Sequence, residues 1–200
     1  ETEGRPSVRL PQYVRLAPVP MLSNLFFAMI ASSMMALLAV YGLRLEMEAG
    51  SASRMVGWMG WGGVFMPLLI GYLADKMDRT LLLACFVGFG AVCAAILPWV
   101  ADMGAWMAPI YLMIFGGLRG GHYGLAVMLI GERFRGADLP SATVVFGFMF
   151  GIGSVMGPAI SGLAIDIWDP HGLPLAIAVF YLVFLPLPLI AWWRRRQASL

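Results

Sequence analysis

Charge is what this chain has least of. Lys, Arg, Asp and Glu make up 12% of its 200 residues, while 60% are hydrophobic and the mean hydropathy is +0.83. A soluble domain carries roughly twice that share of charge, so an ordinary water-soluble fold is excluded. The formal net charge of +2 offers no basic surface for nucleic acid, and no nucleic-acid partner is expected. Cysteine is equally sparse. Cys85 and Cys93 stand eight residues apart on one apolar segment, a spacing that suits neither a metal site nor a redox pair, so both are read as small packing residues. No metal or cofactor is expected. The first 19 residues are not expected to be a signal peptide, because they hold Arg5, Arg9, Arg15 and several prolines but no apolar core. The chain opens on Glu1, from which a fragment or a processed product is expected.

What the chain has in abundance is long apolar sequence. A membrane span takes about 20 apolar residues, and six stretches meet that length, at approximately 20–43, 54–74, 80–100, 105–131, 140–166 and 173–193. The connections are too short for a soluble domain. The expected fold class is all-α: a lead-in over 1–19, a bundle of six transmembrane helices over 20–193 and a basic tail over 194–200. Ten of the thirteen basic residues fall in the lead-in, the second-to-third and fourth-to-fifth connections and the tail. The positive-inside rule then places both ends in the cytoplasm of a cell whose lipid bilayer the chain crosses. Trp58, Trp61, Trp99, Trp106 and Trp168 fall near the predicted outer ends and Trp192 and Trp193 near the inner end, at headgroup depth where amphipathic rings are favoured.

Inside the spans polar chemistry is confined to a few places. Arg119 stands near the middle of the fourth span, where lipid exposure costs at least ~2.5 kcal/mol, so it must face protein, water or solute. His122 and Tyr123 follow at i+3 and i+4 and are expected on the same helical face. The three form the candidate substrate or proton site. The alternative is a structural anchor, with Arg119 bonded to carbonyls of neighbouring helices. No carboxylate falls in mid-span, so a buried relay of acids is excluded and a proton-coupled cycle would rest on His122 or on residues elsewhere. An intramembrane hydrolase fares badly. Ser154 follows on the next span, there is no G-x-S-x-G nucleophile motif and no acid orients the imidazole.

Glycine supplies the packing signal. Gly116, Gly120 and Gly124, with Gly117 and Gly121 on the adjoining ridge, predict a seam of close helix approach. Gly153, Gly157 and Gly162 with Pro158 predict a packed or hinged fifth span. Between the second and third spans runs GYLADKMDR, a charged hairpin in which Gly71 is expected to permit close packing. There Asp75 is expected to cap the following helix, with Lys76 and Arg79 pairing with it or with headgroups.

This hairpin resembles the major facilitator superfamily signature G-x-L-A-D-R-x-G-R-[KR]. Gly71, Leu73, Ala74, Asp75, Lys76 and Arg79 match, while Asp78 and Thr80 depart from it. Arg119 resembles the arginine of the family's R-x-x-x-G pattern, with Gly124 one place late, and GSVMGPAISG at 153–162 is similar to its G-x-x-x-G-P-x-x-G-G pattern. Family members have twelve helices in two six-helix halves, with a solute bound between them. The resemblance therefore implies one half of a secondary transporter and no enzyme. It implies a small-molecule substrate, and a second six-helix half in the same polypeptide or in a dimer. It also implies a gating role for Gly71, Asp75, Lys76 and Arg79. The basic lead-in looks like a central cytoplasmic loop and GERFRGADLPSA at 131–142 looks like the corresponding connection of bacterial members, so the C-terminal half and a bacterial inner membrane are expected. The other reading is a membrane interaction module or truncated transporter in which the same polar residues only pack. It predicts an Arg119 fully satisfied within its own helices.

Overall fold

The computed structural model describes residues 10–198, so Arg5 and Arg9 of the lead-in lie outside the described residues. The fold is all-α, with no strand among those residues. A short α1 (Leu10–Leu16) leads into α2 (Pro18–Arg44), followed by α3 (Ala49–Ala74), α4 (Arg79–Ile96), a 3-10 turn (Leu97–Met103), α5 (Gly104–Arg133), α6 (Asp138–Ile167), α7 (Gly172–Phe184) and α8 (Pro186–Ala198). Five lengths are both long and apolar enough to cross a membrane: α2, α4 with its 3-10 extension, α5 from Trp106, α6, and α7 with α8. At 26 residues α3 matches them in length.

The element ends follow from local chemistry. Pro18 opens α2, where its missing N–H costs nothing and its fixed φ suits the first turn. Gly104 enters α5 at φ +70°, a backbone conformation open to glycine because no Cβ collides. The expected sixth span is divided at Leu185, because Pro186 has no N–H to continue the ladder and its ring crowds the preceding turn. Asp78, not Asp75, caps α4: its Oδ1 accepts from the N–H groups of Thr80 and Leu81, both at 2.9 Å. The reason is position, since Asp78 immediately precedes the first helical residue and Asp75 closes α3.

Besides the α6–α7 corner, where a Cβ at Gly172 would lie 1.9 Å from the Ala164 carbonyl oxygen, two helix pairs approach along their lengths closely enough that only glycine fits. On α5, a Cβ at Gly116 would lie 1.8 Å from the Met59 carbonyl oxygen of α3, and one at Gly62 of α3 equally close to that of Met113. On α6, Gly153 and Gly157 meet the Leu25 and Met29 carbonyls of α2 in the same way, at 2.3 and 2.2 Å. Gly121 instead admits the Phe86 ring of α4. The predicted seam is thus real but shorter than expected. At Gly71, Gly124 and Gly162 a Cβ would find nothing within 4 Å, because each is turned to the open side of its helix. Such close contacts suit a bilayer, where association depends on packing instead of water exclusion.

Buried polar groups join the same pairs. Asn24 of α2 donates through Nδ2 to the Phe146 carbonyl of α6 at 2.7 Å. Ser161 Oγ of α6 donates to Ser33 Oγ of α2 at 2.9 Å, and Ser33 in turn bonds the Met29 carbonyl at 2.7 Å. The main core gathers Met34, Leu38, Met59, Val87, Phe115 and Ile177 from five helices. A smaller one joins Met21, Ile130, Phe134 and Val145 where the lead-in meets α5 and α6. Apolar side chains also cover the outside, with Phe65 and Leu69 on α3 and Val155, Leu163 and Ile167 on α6 all exposed. A helix apolar all round belongs in lipid or against another apolar bundle.

Candidate substrate site

Arg119, His122 and Tyr123 leave α5 in different directions. One residue advances about 100° around a helix, so i+3 and i+4 straddle the starting residue and diverge from one another. Arg119 is half-buried and lies within electrostatic range of Tyr181 of α7, without a hydrogen bond between them. Its Nε is enclosed by protein and, among the described residues, the guanidinium makes no hydrogen bond or ion pair. Tyr181 is also buried with an unpartnered hydroxyl. Its ring occupies the space beside Gly90 of α4, where a Cβ would lie 2.6 Å from Cζ.

His122 is fully buried. It stacks on Phe184 at 5.4 Å between ring centroids, with Tyr181 at 6.2 Å and Phe27 at 6.1 Å. Neither ring nitrogen has a hydrogen-bonding partner with good geometry, although the backbone of Ser23 faces the ring. Tyr123 is 40% exposed and lies over Phe27 at 4.9 Å, with Phe146 at 6.3 Å. Phe150 of α6 extends this wall, 6.2 Å from Phe27. The structure therefore packs His122 against Tyr181 and Phe184, leaves Arg119 within electrostatic range of Tyr181, and assigns Tyr123 to an aromatic face between α2 and α6. Sequence reasoning missed Tyr181. Its signal was a phenol inside the otherwise apolar run LAIAVFYLVF, since a mid-span hydroxyl needs a reason to be there.

At the hairpin, Arg79 donates to Glu132 Oε1 at the far end of α5, with N and O 2.6 Å apart. Lys76 bonds the Tyr72 hydroxyl and sits 4.2 Å over the same ring. Neither base pairs with Asp75, whose carboxylate is exposed and, among the described residues, unpaired. Asp75 is one turn from Tyr72 and Lys76 reaches back to it, while Arg79 lies across the turn beside α5.

A model of the Major Facilitator Superfamily matches residues 21–199. The chain belongs to that superfamily. No curated protein and no solved structure matches it at a significant level. As a major facilitator chain it is an integral membrane protein of a transporter family, which is a non-enzymatic class. Among the described residues no group of three His, Cys, Asp or Glu side chains is placed to hold a metal ion. In the major facilitator chain the glycine seams hold α3 to α5 and α2 to α6 as two tight pairs. The Arg119, His122 and Tyr181 cluster lies between α5, α7 and α2.

Proposed function

We propose that this chain is one half, the C-terminal one, of a secondary active transporter that moves a small solute by alternating access. The proposed setting is a bacterial inner membrane, with both termini cytoplasmic and a second six-helix half, in the same polypeptide or in a dimer, completing the cavity. Arg119 carries the reading. An anchoring arginine would bond to carbonyls of its own bundle, whereas the Arg119 Nε is enclosed and unpartnered. A half-buried cation in that state is an unused donor, suited to a solute bearing a carboxylate, phosphate or carbonyl oxygen. Tyr181 supplies a second donor beside it, and the Phe27, Tyr123 and Phe150 wall supplies an apolar face. The Asp75, Lys76 and Arg79 hairpin with Gly71 serves the cytoplasmic gate, where the free Asp75 carboxylate is available to the opposing half. Movement is rocking of two bundles about the midplane site.

The test uses the natural polypeptide in proteoliposomes. A panel of small organic anions is screened by thermal shift, and radiolabelled hits are followed for uptake. Arg119→Gln should abolish binding and uptake while leaving insertion and helix content intact. Unchanged uptake in that variant would remove Arg119 from the site and favour the packing reading.

A further inference from the structure

At the end of the bundle opposite the hairpin, the 3-10 turn Leu97–Met103 and the start of α7 border an open cavity of about 720 Å³. Trp99, Asp102, Trp168 and His171 line it together with alanine, proline and leucine side chains, among them Leu175 and Ala178. None of this is used by the Arg119 site. We propose that this cavity binds the ammonium headgroup of a membrane lipid, with the apolar wall receiving the upper part of its acyl chain.

Three observations carry the assignment. First, the polar lining suits a cation: one carboxylate, two indoles and the His171 imidazole, whose Nδ1 faces the Tyr41 hydroxyl at 3.5 Å, with no Lys or Arg among the lining residues. Indole is the best aromatic face for an ammonium group, and a carboxylate adds a charge-assisted hydrogen bond. Second, the whole end is acidic. Glu46, Glu48, Asp102, Asp166 and Asp169 lie there against Arg44 and Arg54. Arg44 is moreover held by Asp169 at 2.7 Å. An anionic headgroup is disfavoured there and an ammonium is attracted. Third, Trp99 and Trp168 are 60% and 54% exposed at helix ends, the depth at which headgroups reside, while the wall continues down the apolar flanks of α4 and α7 through Ala94 and Ala178. That combination fits a ligand with its charge at the interface and its tail in hydrocarbon. A lipid seated there would bridge the 3-10 turn to α7.

The experiment is native mass spectrometry of the natural polypeptide released from nanodiscs of phosphatidylglycerol and phosphatidylethanolamine in equal amounts. The expected result is preferential retention of one phosphatidylethanolamine, with the preference reduced about three- to tenfold by Asp102→Asn and by Trp99→Leu. The exposed position of both residues keeps the variants folded, which circular dichroism checks. Equal retention of the two lipids in the unaltered chain would overturn the proposal, as would a preference that neither variant changes. A parallel arm adds dodecyltrimethylammonium to discs of phosphatidylglycerol alone. Asp102-dependent binding of that amine, coupled with equal lipid retention, would reassign the cavity to free amphipathic amines and likewise overturn it.

Discussion

Replacing Gly116 by alanine should loosen the α3–α5 pair more than any other single methyl added to α5 along its 116, 120, 124 ridge. The new Cβ would lie 1.8 Å from the Met59 carbonyl oxygen, 2.7 Å from its carbon and 3.0 Å from its Cα. All three atoms belong to backbone, so no side chain can rotate away and the helices must part by more than an ångström. Separation also disrupts the neighbouring contacts, since Gly62 approaches the Met113 carbonyl and Gly117 approaches that of Gly62. Overpacking of this kind costs about 1–3 kcal/mol, and a backbone obstacle puts Gly116→Ala at the upper end. At Gly120 the nearest atom is the Cα of Gly63 at 3.2 Å, which needs an adjustment of tenths of an ångström and a loss of about 1 kcal/mol or less. At Gly124 nothing lies within 4 Å. There alanine gains up to about 1 kcal/mol of helix propensity and stability should hold or rise. Reversible unfolding of the three variants in mixed micelles, followed by tryptophan fluorescence, reads the order directly. A Gly124→Ala variant as unstable as Gly116→Ala would refute the reasoning, because four-residue spacing alone would then explain the losses.

Other consequences follow from the same geometry. Asp78→Ala should destabilise the chain by about 1 kcal/mol through loss of the α4 cap, while Asp75→Ala stays within about 0.5 kcal/mol; chemical denaturation of both checks the assignment. Tyr181→Phe removes a buried hydroxyl that has no partner, so stability should be unchanged or higher by about 1 kcal/mol while solute uptake falls. A clear loss of stability would show that the hydroxyl has a structural bond. The Arg79–Glu132 pair, with side chains 31% and 45% exposed, should show a coupling no larger than about 1 kcal/mol in a double-mutant cycle. A coupling several times that size would mean the pair is far better shielded than its exposure indicates.

Hydropathy and the spacing of charge were sufficient for the membrane class and the all-α fold, because a span is a one-dimensional property: enough consecutive apolar residues either cover the hydrocarbon or do not. The family was legible instead in the motifs at 71–79 and 153–162. Arg119 was equally legible, since a mid-span cation stands out whatever surrounds it. Partnership was not legible. Gly116 and Gly124 are the same residue on the same ridge, yet one meets a carbonyl and the other open space, because a neighbouring helix crosses at one depth and has diverged at the next. Asp75 and Asp78 differ by less than one turn, and only the backbone at the α4 start decides which carboxylate reaches free N–H groups. His122 and Tyr123 follow Arg119 as an expected pair, but the 100° between successive residues sends one into an aromatic stack and the other to an exposed face. Tyr181 joins Arg119 from another helix, 62 positions along the chain, a relation no local pattern contains. The sequence by itself determined which stretches are apolar enough to seek the membrane; tertiary structure decided which of their residues meet, because contact depends on where neighbouring helices cross.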